Sequence, residues 1–527
     1  MRSWWQWLRR TYLSVDPRSL GLFRIVLGLL LLSDLARRWS EIELWYTNSG
    51  LLPNHTLLWR PPSERMFSLF FTVSNIGEAR IGFALCAAAY VMLVLGYHTR
   101  WAQLLALVAR VSLNSRLAVL ENGGDMVMDL LCLLTLPLPL GARFSFDAVA
   151  RPGQRSTRPF VSLAMLALLL QFGAVYFFNA ISKGGPAWRD GSAVHYALHQ
   201  DKLVTWLGVW MREHLSPGVL RGLTWGTLAT EWLGCALILT PIFVKQARAL
   251  AVCIMPLLHL GFALGLNLGG FSPAMMSFFP LLLGAAHWDF LARHVGPRLQ
   301  GLVSAGERVA RAVTERLGAP QTRSPSLLGR VGLEVGTLVL LLAIVSEMLN
   351  DNTSVPQALR VRQPAWAKAM VQYPRLLQGW RMFAPEPPRG DTMIYVEATT
   401  ASGKRVDPYN QLASDQPYPA ADVVPRHMGQ SQFFVMYTER IANPSYAAYR
   451  QAFTEWLLAY PERTRRSDDC LLGFRVYFVA DHSPAFGSNE PAKPGERTQF
   501  MSYSAPHDSP CRALVPKKPA GPTVSGL

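Results

Sequence analysis

Apolar runs separated by short polar loops dominate residues 1–350 of this chain. A helix needs about 20 mostly apolar residues to cross the hydrocarbon core of a bilayer, and these runs approach that length. Run length therefore predicts about nine transmembrane helices. They are Leu20–Leu35, Arg80–Tyr97, Trp101–Leu120, Asp125–Leu140, Val161–Ile181, Leu223–Phe243, Ala249–Gly269, Phe271–Trp288 and Val331–Leu349. The pattern indicates an all-α polytopic membrane bundle.

The pattern changes beyond residue 350, where polar residues become frequent and short strand-like runs appear. Strands are predicted at Thr392–Thr400, Phe433–Tyr437 and Gly473–Ala480. A helix is predicted at Pro444–Tyr460. We therefore divide the chain into a membrane domain, a small α+β domain and a tail rich in Pro, Gly and Ser that we expect to be disordered. These are residues 1–350, 351–483 and 484–527.

Composition and charge agree with a membrane protein. Half of the residues are hydrophobic and 16% are charged, whereas about 25% are charged in soluble proteins. The net charge of +16 comes mostly from Lys and Arg in short segments between apolar runs, so we expect the lipid bilayer and not nucleic acid as a partner. With nine spans the basic loops share one side, which the positive-inside rule makes cytoplasmic. We then expect a cytoplasmic N-terminus and an extracytoplasmic α+β domain.

Two of the six cysteines, Cys470 and Cys511, lie in the polar C-terminal region. They lack the CxxC spacing of metal or redox sites, and we expect no metal. In an extracytoplasmic domain these two thiols could form a disulfide. Two unbonded thiols are the alternative.

The fifth apolar run ends in a lysine, Lys183, which is followed by the segment GGPAW. A lysine that is partly desolvated at a membrane boundary can have a lowered pKa, so a neutral amine becomes available as a base. The alternative is a lysine that extends its ammonium group to the headgroups and caps the helix.

Two further titratable residues, Glu231 and His259, lie inside the sixth and seventh predicted spans. Ionisable residues within a membrane are costly and commonly functional. A structural ion pair for Glu231 and an interhelical hydrogen bond for His259 are the alternatives. Arg110, Arg116 and His259 are the candidate partners of Glu231.

Polar residues also border the third and fourth runs. Asn122 and Asp125 open the fourth run in the sequence NGGD, and Arg110, Asn114 and Arg116 lie in the third. A structural polar network between these two helices is the simplest interpretation. The sequence has no P-loop, no HExxH, no GxSxG and no dinucleotide-binding glycine pattern.

The order of several motifs resembles a known family. The chain has VDPRSLGLFRIVLGLLLLSDL, then WYTNSGLLP, then NGGD, then YFFNAISKGGPAWRDGSAVHYAL. This series is similar to the HTTM (horizontally transferred transmembrane domain) family, which includes the vitamin K-dependent gamma-glutamyl carboxylases. The resemblance continues through HLGFALGLNLGGFS and GWRMFAPEPPRGDTMIYVEATTASGKRVD, so it covers roughly residues 14–410.

The resemblance implies chemistry on a lipid-soluble quinone. The carboxylases use oxygen and reduced vitamin K to generate a strong base, which deprotonates a substrate glutamate before CO2 adds. Lys183 matches the lysine that deprotonates the hydroquinone, and His259 matches a histidine of a later span. The expected cofactors are reduced vitamin K or menaquinone, with O2 and CO2. The expected catalytic residues are Lys183, His259 and Glu231, and the expected substrate- or quinone-binding residues are Trp188, Tyr176, Asn122 and Asp125.

Two hypotheses for function follow from this resemblance and from one departure. Where animal carboxylases have Asn-Asn-His this chain has NGGD, and it is more similar to bacterial members of the family. The first hypothesis is a quinone-linked, carboxylase- or epoxidase-like enzyme of the bacterial cytoplasmic (inner) membrane. The second is a non-catalytic membrane maturation or interaction factor, whose extracytoplasmic domain binds a secreted or membrane protein or peptide.

Overall fold

The computed structural model describes residues 2–62, 64–151, 158–318, 326–410, 412–414, 431–488 and 490–515. The chain divides into two compact units. Unit 1 comprises Met1–Tyr46, Pro62–Leu198 and Leu203–Pro387. Unit 2 comprises Thr47–Pro61, His199–Lys202 and Pro388–Leu527. Unit 1 is mainly helical, whereas unit 2 contains a five-stranded sheet.

The helices follow the apolar runs through the first two-thirds of the chain. Helices α1 to α9 are Arg2–Leu8, Pro17–Trp39, Ile42–Tyr46, Asn54–Trp59, Ile76–Leu95, Thr99–Arg116, Gly123–Leu134, Phe146–Val149 and Leu163–Ser182. Helices α10 to α19 are Pro186–Arg189, Ala193–Leu198, Trp206–His214, Pro217–Leu239, Val244–Gly265, Phe271–Ser277, Ala285–His294, Gly296–Leu317, Leu327–Asp351 and Ala365–Gln372. All of these except α4 belong to unit 1.

Among the described residues, five helices are long and apolar enough to cross a membrane, namely α2, α5, α9, α14 and α18. The segments Phe271–Leu282 and Ala285–His294 add a sixth if their 95° bend lies within one span. The prediction of nine spans is therefore not confirmed, although helices lie at all nine predicted places. The run from Asp125 shows one reason, because α7 has 12 residues. At about 1.5 Å per residue it measures about 18 Å, too short for a hydrocarbon core of about 30 Å.

Local sequence signals set the ends of the long helices. Pro17 opens α2, and Asp16 accepts a hydrogen bond from the amide of Arg18 in its first turn. At the start of α5, Asn75 and Glu78 form a reciprocal capping box. The same helix ends at Gly96, whose φ of +66° is the left-handed conformation that glycine adopts without strain.

Unit 1 is held together by packing of neighbouring helices. α9 packs against α13, α2 against α5, and α14 against both α13 and α15. The rings of Phe172 and Phe278 stack with their centroids 3.9 Å apart. Two short strands, β1 Ser14–Val15 and β2 Phe160–Val161, pair antiparallel just before α2 and α9. The core of unit 1 therefore consists of side chains packed between neighbouring long helices.

Unit 1 extends beyond residue 350, where the sequence suggested the domain boundary. Asn352 Nδ2 donates to the backbone oxygen of Gln378 at 2.8 Å. Gln171 Nε2, in α9, donates to Gln378 Oε1 at 2.9 Å. These buried amide contacts attach the segment after α18 to the helices, so unit 1 continues to Pro387.

Unit 2 is built on an antiparallel sheet with the strand order β5-β4-β3-β6-β7. Strands β3 to β7 are Thr392–Thr400, Arg405–Asp407, Leu412–Ser414, Leu471–His482 and Lys493–Ser504. Helices α20 to α23 are Gln432–Ala442, Arg450–Leu458, Tyr460–Thr464 and Pro510–Ala513. A 3₁₀ helix at Pro444–Tyr449 precedes α21, so this region is helical as predicted. Cys470 and Cys511 form a disulfide with their Cα atoms 5.5 Å apart.

Two sequence-based assignments in unit 2 are corrected. Phe433–Tyr437, predicted as a strand, lies in α20, where Phe433, Tyr437 and Ile441 are buried at intervals of four residues on one helical face. The tail from residue 484 was expected to be disordered, but residues 493–504 form β7 and pair with β6. Backbone hydrogen bonds to β6 order this segment despite its polar composition. Residues 516–527 of the tail lie outside the described residues.

Candidate functional site

Lys183, which follows α9, forms a buried pair with Glu231 in the middle of α13. Lys183 Nζ donates to both carboxylate oxygens of Glu231, and its distance to Oε2 is 2.5 Å. The two side chains are 3% and 7% exposed. Burial lowers the pKa of the Lys183 ammonium, and the neighbouring Glu231 carboxylate opposes that change. The pair is therefore placed to share a proton away from water.

Trp188 covers this pair from the short helix α10. Lys183 Nζ lies 4.9 Å from the centroid of the Trp188 ring, within cation–π distance. Trp188 Nε1 donates to the backbone oxygen of Phe383 at 2.9 Å, which fixes the ring. Gly185 allows the close approach of this turn, because a Cβ there would lie 2.7 Å from the backbone oxygen of Pro385.

A second polar pair, Tyr176 and His259, lies beside the first. The Tyr176 hydroxyl and His259 Nε2 share a hydrogen bond of 2.7 Å between α9 and α14. The ring of His259 also contacts the rings of Phe262 and Phe271, each with centroids 5.8 Å apart. The Tyr176 ring also lies beside α13, because a Cβ added at Gly234, three residues after Glu231, would be 3.3 Å from its Cγ atom. Five of the predicted site residues therefore converge.

Three of these five residues, Lys183, Trp188 and Glu231, border a cavity of about 340 Å³ in unit 1. Its described lining is mostly apolar, and the charged side chains in that lining are Lys183 and Glu231. Trp188 and Phe383 form part of one wall. A largely apolar cavity with a few polar groups, two of them charged, is typical of a small-molecule site.

Glycines on two helices create the open space of this cavity. Gly222 and Gly226 on α13 and Gly261 on α14 line it, and a Cβ added at any of them would meet no atom within 4 Å. Leu223 and Leu257 line the same cavity and are also exposed on the outer surface of these helices. The cavity thus reaches the apolar exterior of α13 and α14.

The different surroundings of two glycines predict different effects of alanine on the free energy of unfolding. Gly226→Ala should preserve the free energy of unfolding or raise it by up to about 1 kcal/mol, because alanine favours a helix and the cavity has room. Gly208→Ala in α12 should lower it by roughly 1–3 kcal/mol, because the new Cβ would lie 2.2 Å from the backbone oxygen of Gly265. Denaturation of the purified protein in mixed micelles measures both. Equal losses would show that the space at Gly226 is not open.

Asn122 and Asp125 belong to a different cluster, which surrounds Arg110. Arg110 Nη1 donates to Asp34 at 3.0 Å, and its Nη2 donates to Asp125 at 2.6 Å. Its Nε lies 3.0 Å from Asp129 Oδ1. Asn122 caps α7 by accepting from the amide of Gly124 at 2.8 Å. In the described structure this cluster does not line the cavity beside Lys183.

Arg38 completes this charge cluster from α2. It donates to Asp34 at 2.8 Å and to Asp125 at 2.7 Å. A third bond, of 2.8 Å, reaches the hydroxyl of Tyr46. The cluster joins α6 and α7, the two helices between which a structural network was expected, and it also includes α2. Asn114, another predicted member, donates to Asp129 at 2.5 Å.

Sequence reasoning missed three parts of the site. The partner of Glu231 is Lys183 and not Arg110, Arg116 or His259. Phe383, whose backbone oxygen positions Trp188, lies in the motif GWRMFAPEPP, for which the sequence predicted no role. The cavity glycines were missed too, although Gly222 and Gly226 have the four-residue spacing of small residues on one helical face.

Comparison with known proteins identifies similar sequences. A family model described as HTTM domain matches residues 12–288. The uncharacterized protein YitO of Bacillus subtilis (strain 168) is 28% identical over 206 residues, which are 38% of this chain and 65% of that protein. The chain thus covers less than two-thirds of that relative's length. No solved structure matches this chain.

Proposed function

The chain belongs to the HTTM domain family, and on this premise we propose that it is a quinone-linked membrane enzyme with Lys183 as its base. It is a membrane protein related to the carboxylase family. The observation that carries the proposal is the buried Lys183–Glu231 pair in an apolar cavity that reaches the outer surface of α13 and α14. Such a cavity suits a molecule that arrives from the lipid phase.

The residues present fit reduced vitamin K or menaquinone. A quinol combines a flat ring that carries hydroxyl groups with a long apolar chain. The space beside Gly222, Gly226 and Gly261 would take the apolar part, and Lys183 and Trp188 would meet the ring. The quinol supplies the oxidisable ring when O2 is present, and CO2 is the co-substrate by analogy with the carboxylases.

Lys183 would act as the base in its neutral form. Transfer of its proton to the carboxylate of Glu231 leaves a neutral amine, which can take a proton from a hydroxyl of the bound molecule. The short contact between the two groups favours this exchange. The Tyr176–His259 pair would orient and tune these groups. We leave Asn122 and Asp125 out of this role because they stabilise α7 and the Arg110 cluster.

The decisive experiment compares Lys183→Arg with the wild type. Purified protein receives reduced vitamin K or menaquinone with O2, and mass spectrometry follows the epoxide. Arginine keeps the positive charge beside Glu231 but does not deprotonate in proteins. We expect epoxide from the wild type and none from Lys183→Arg at similar stability. Lys245→Ala, which removes an exposed lysine of unit 1, should behave as the wild type.

Filling the cavity gives a second test of the same function. Gly226→Leu should abolish epoxide formation because its side chain occupies the cavity. Gly218→Leu, on the same helix but outside the cavity lining, should retain it. If the wild type makes no epoxide with either quinone, this function is wrong. The non-catalytic interaction factor is then the better hypothesis, and the search moves to proteins or peptides bound by unit 2.

We also propose the bacterial cytoplasmic membrane as the location, with the N-terminus in the cytoplasm and unit 2 outside. Lys and Arg in the short loops between apolar runs support this orientation. Fusion of a reporter that is active only in the periplasm to each end of the chain tests it. Activity at the C-terminal fusion alone is the expected result.

A further inference from the structure

Helix α17, Gly296–Leu317, has an apolar strip that faces away from the rest of unit 1. Leu302 is 72% exposed and Val309, two turns later, is 58% exposed. The opposite edge of the apolar face, at Ala310 and Thr314, is buried and packs toward α8. The helix is therefore attached on one side and leaves large apolar side chains uncovered on the other.

Arginines continue this strip at both of its ends. Arg298 precedes Leu302 by four residues, and Arg316 follows Val309 by seven, so both lie on nearly the same side of the helix. In all, α17 contains four arginines and two glutamates. An apolar strip bordered by arginines is typical of a helix that lies in the headgroup layer of a membrane.

Contacts place α17 and α16 beside the ends of two candidate spans. The Tyr97 hydroxyl, just after α5, donates to the backbone oxygen of Leu317 at 3.4 Å. Leu95, the last residue of α5, shares a cavity of about 380 Å³ with Val303 and Ala310. Since α5 is a candidate span, its end marks the level of the membrane surface, and α17 lies at that level.

Contacts of helix α16 place it at the level of the membrane surface as well. Trp288 Nε1 donates to Ser19 Oγ at 2.8 Å, and Arg18 contacts Asp289 at 2.9 Å. Arg18 and Ser19 form the first turn of the candidate span α2. The 95° bend between Phe271–Leu282 and Ala285–His294 turns the chain away from the direction of the preceding segment. The chain therefore enters α17 at the edge of the spans.

We propose that α17 binds the surface of an anionic bilayer, with Leu302 and Val309 inserted among the acyl chains and Arg298 and Arg316 at the phosphates. The charge is complementary to anionic lipid, and the exposed apolar strip supplies the insertion energy. Each arginine near an anionic surface strengthens the partitioning by about fivefold. This proposal does not depend on the enzyme activity proposed above.

Spin labels on the full-length protein in phospholipid vesicles test the proposal. Labels are attached to Leu302→Cys and Val309→Cys, and to the matched controls Arg308→Cys and Glu315→Cys on the opposite face. The background carries Cys235→Ala and Cys253→Ala, because these two free cysteines are accessible while Cys86 and Cys132 are buried. Collision rates with oxygen, which enters lipid, and with a water-soluble nickel chelate are compared.

The ratio of oxygen to nickel collisions should be several-fold higher at residues 302 and 309 than at 308 and 315. Equal, high nickel accessibility at all four positions would overturn the proposal by placing α17 in water. Shielding of residues 302 and 309 from both reagents would overturn it by showing that protein covers the strip. Both reagents are read out at labels on α17, so the result is independent of the cavity beside Lys183.

A charge series tests the anionic part of the proposal. In vesicles of phosphatidylcholine, addition of phosphatidylglycerol should raise the oxygen-to-nickel ratio at residue 302. The double variant Arg298→Gln/Arg316→Gln should lose most of that response, whereas Arg308→Gln/Arg311→Gln, with the same loss of charge, should keep it. An equal loss in both pairs would show that net charge alone acts and would overturn the assigned role of Arg298 and Arg316.

Discussion

Replacing Arg110 with methionine is expected to lower the free energy of unfolding by about 3–5 kcal/mol. The Arg110 side chain is fully buried and contacts three aspartates on two helices, α2 and α7. Methionine has a similar length but no charge, so among the described contacts Asp129 would keep the hydrogen bond from Asn114 and lose its ion pair. Unfolding of the purified protein in mixed micelles, followed by tryptophan fluorescence, measures the loss.

Arg37→Met is the matched control for this prediction. Arg37 also contacts Asp34, at 2.7 Å, but its side chain is 35% exposed. A partly exposed ion pair contributes about 1 kcal/mol or less. If both substitutions lower the free energy of unfolding equally, burial does not determine the contribution of this cluster.

The second large effect is expected at the Lys183–Glu231 pair. Lys183→Met alone should lower the free energy of unfolding by about 3–5 kcal/mol, because it leaves the Glu231 carboxylate buried without its partner. The double variant Lys183→Met/Glu231→Gln removes both charges and should recover most of that loss. The same micelle denaturation, applied as a double-mutant cycle, gives the coupling between the two side chains.

Additive losses in this cycle would contradict the pairing seen in the structure. The cycle is also independent of any catalytic role, because a structural ion pair predicts the same stabilities. Lys183→Arg separates the two roles, since it should keep the stability while removing the base. The stability cycle and the epoxide assay therefore answer different questions about one pair.

The sequence predicted the candidate site residues without predicting which residues they contact, and their roles stay predictions. Apolar run length located the helices, and the cost of charge in apolar surroundings singled out Lys183, Glu231 and His259. The resemblance to the carboxylases added the roles of Tyr176 and Trp188. In the structure Lys183, Glu231 and Trp188 line one cavity, and Tyr176 and His259 form a hydrogen-bonded pair nearby.

The period of apolar residues along the sequence could not predict contacts between helices. A period of 3.6 residues tells which side of a helix is apolar, but not which neighbouring helix that side meets. Lys183 and Glu231 are 48 residues apart, and their contact depends on the packing of α9 against α13. No role was predicted for Asp34 and Arg38, yet they hold the Arg110 cluster together.

The three-part composition of unit 2 limits how many times the chain can cross a bilayer. Thr47–Pro61, His199–Lys202 and Pro388–Leu527 form one compact body, so all three lie on the same side of the membrane. The number of crossings between the first and second segments must be even, and likewise between the second and third. The candidate spans α5 and α9 satisfy the first interval, and α14 and α18 satisfy the second.

This parity rule decides how the bent segment Phe271–Leu282 can be counted. If it crosses fully, the second interval contains three crossings, so another helix such as α13 must also cross. Its two ends lie near opposite ends of α2, because Gly270 is beside Asp34 and Leu283 accepts a hydrogen bond from Ser19 Oγ. If α2 crosses the bilayer, this segment therefore crosses as well. If α2, the candidate span that precedes Thr47 in the described chain, crosses the bilayer, the N-terminus and unit 2 are on opposite sides, as in the orientation proposed above.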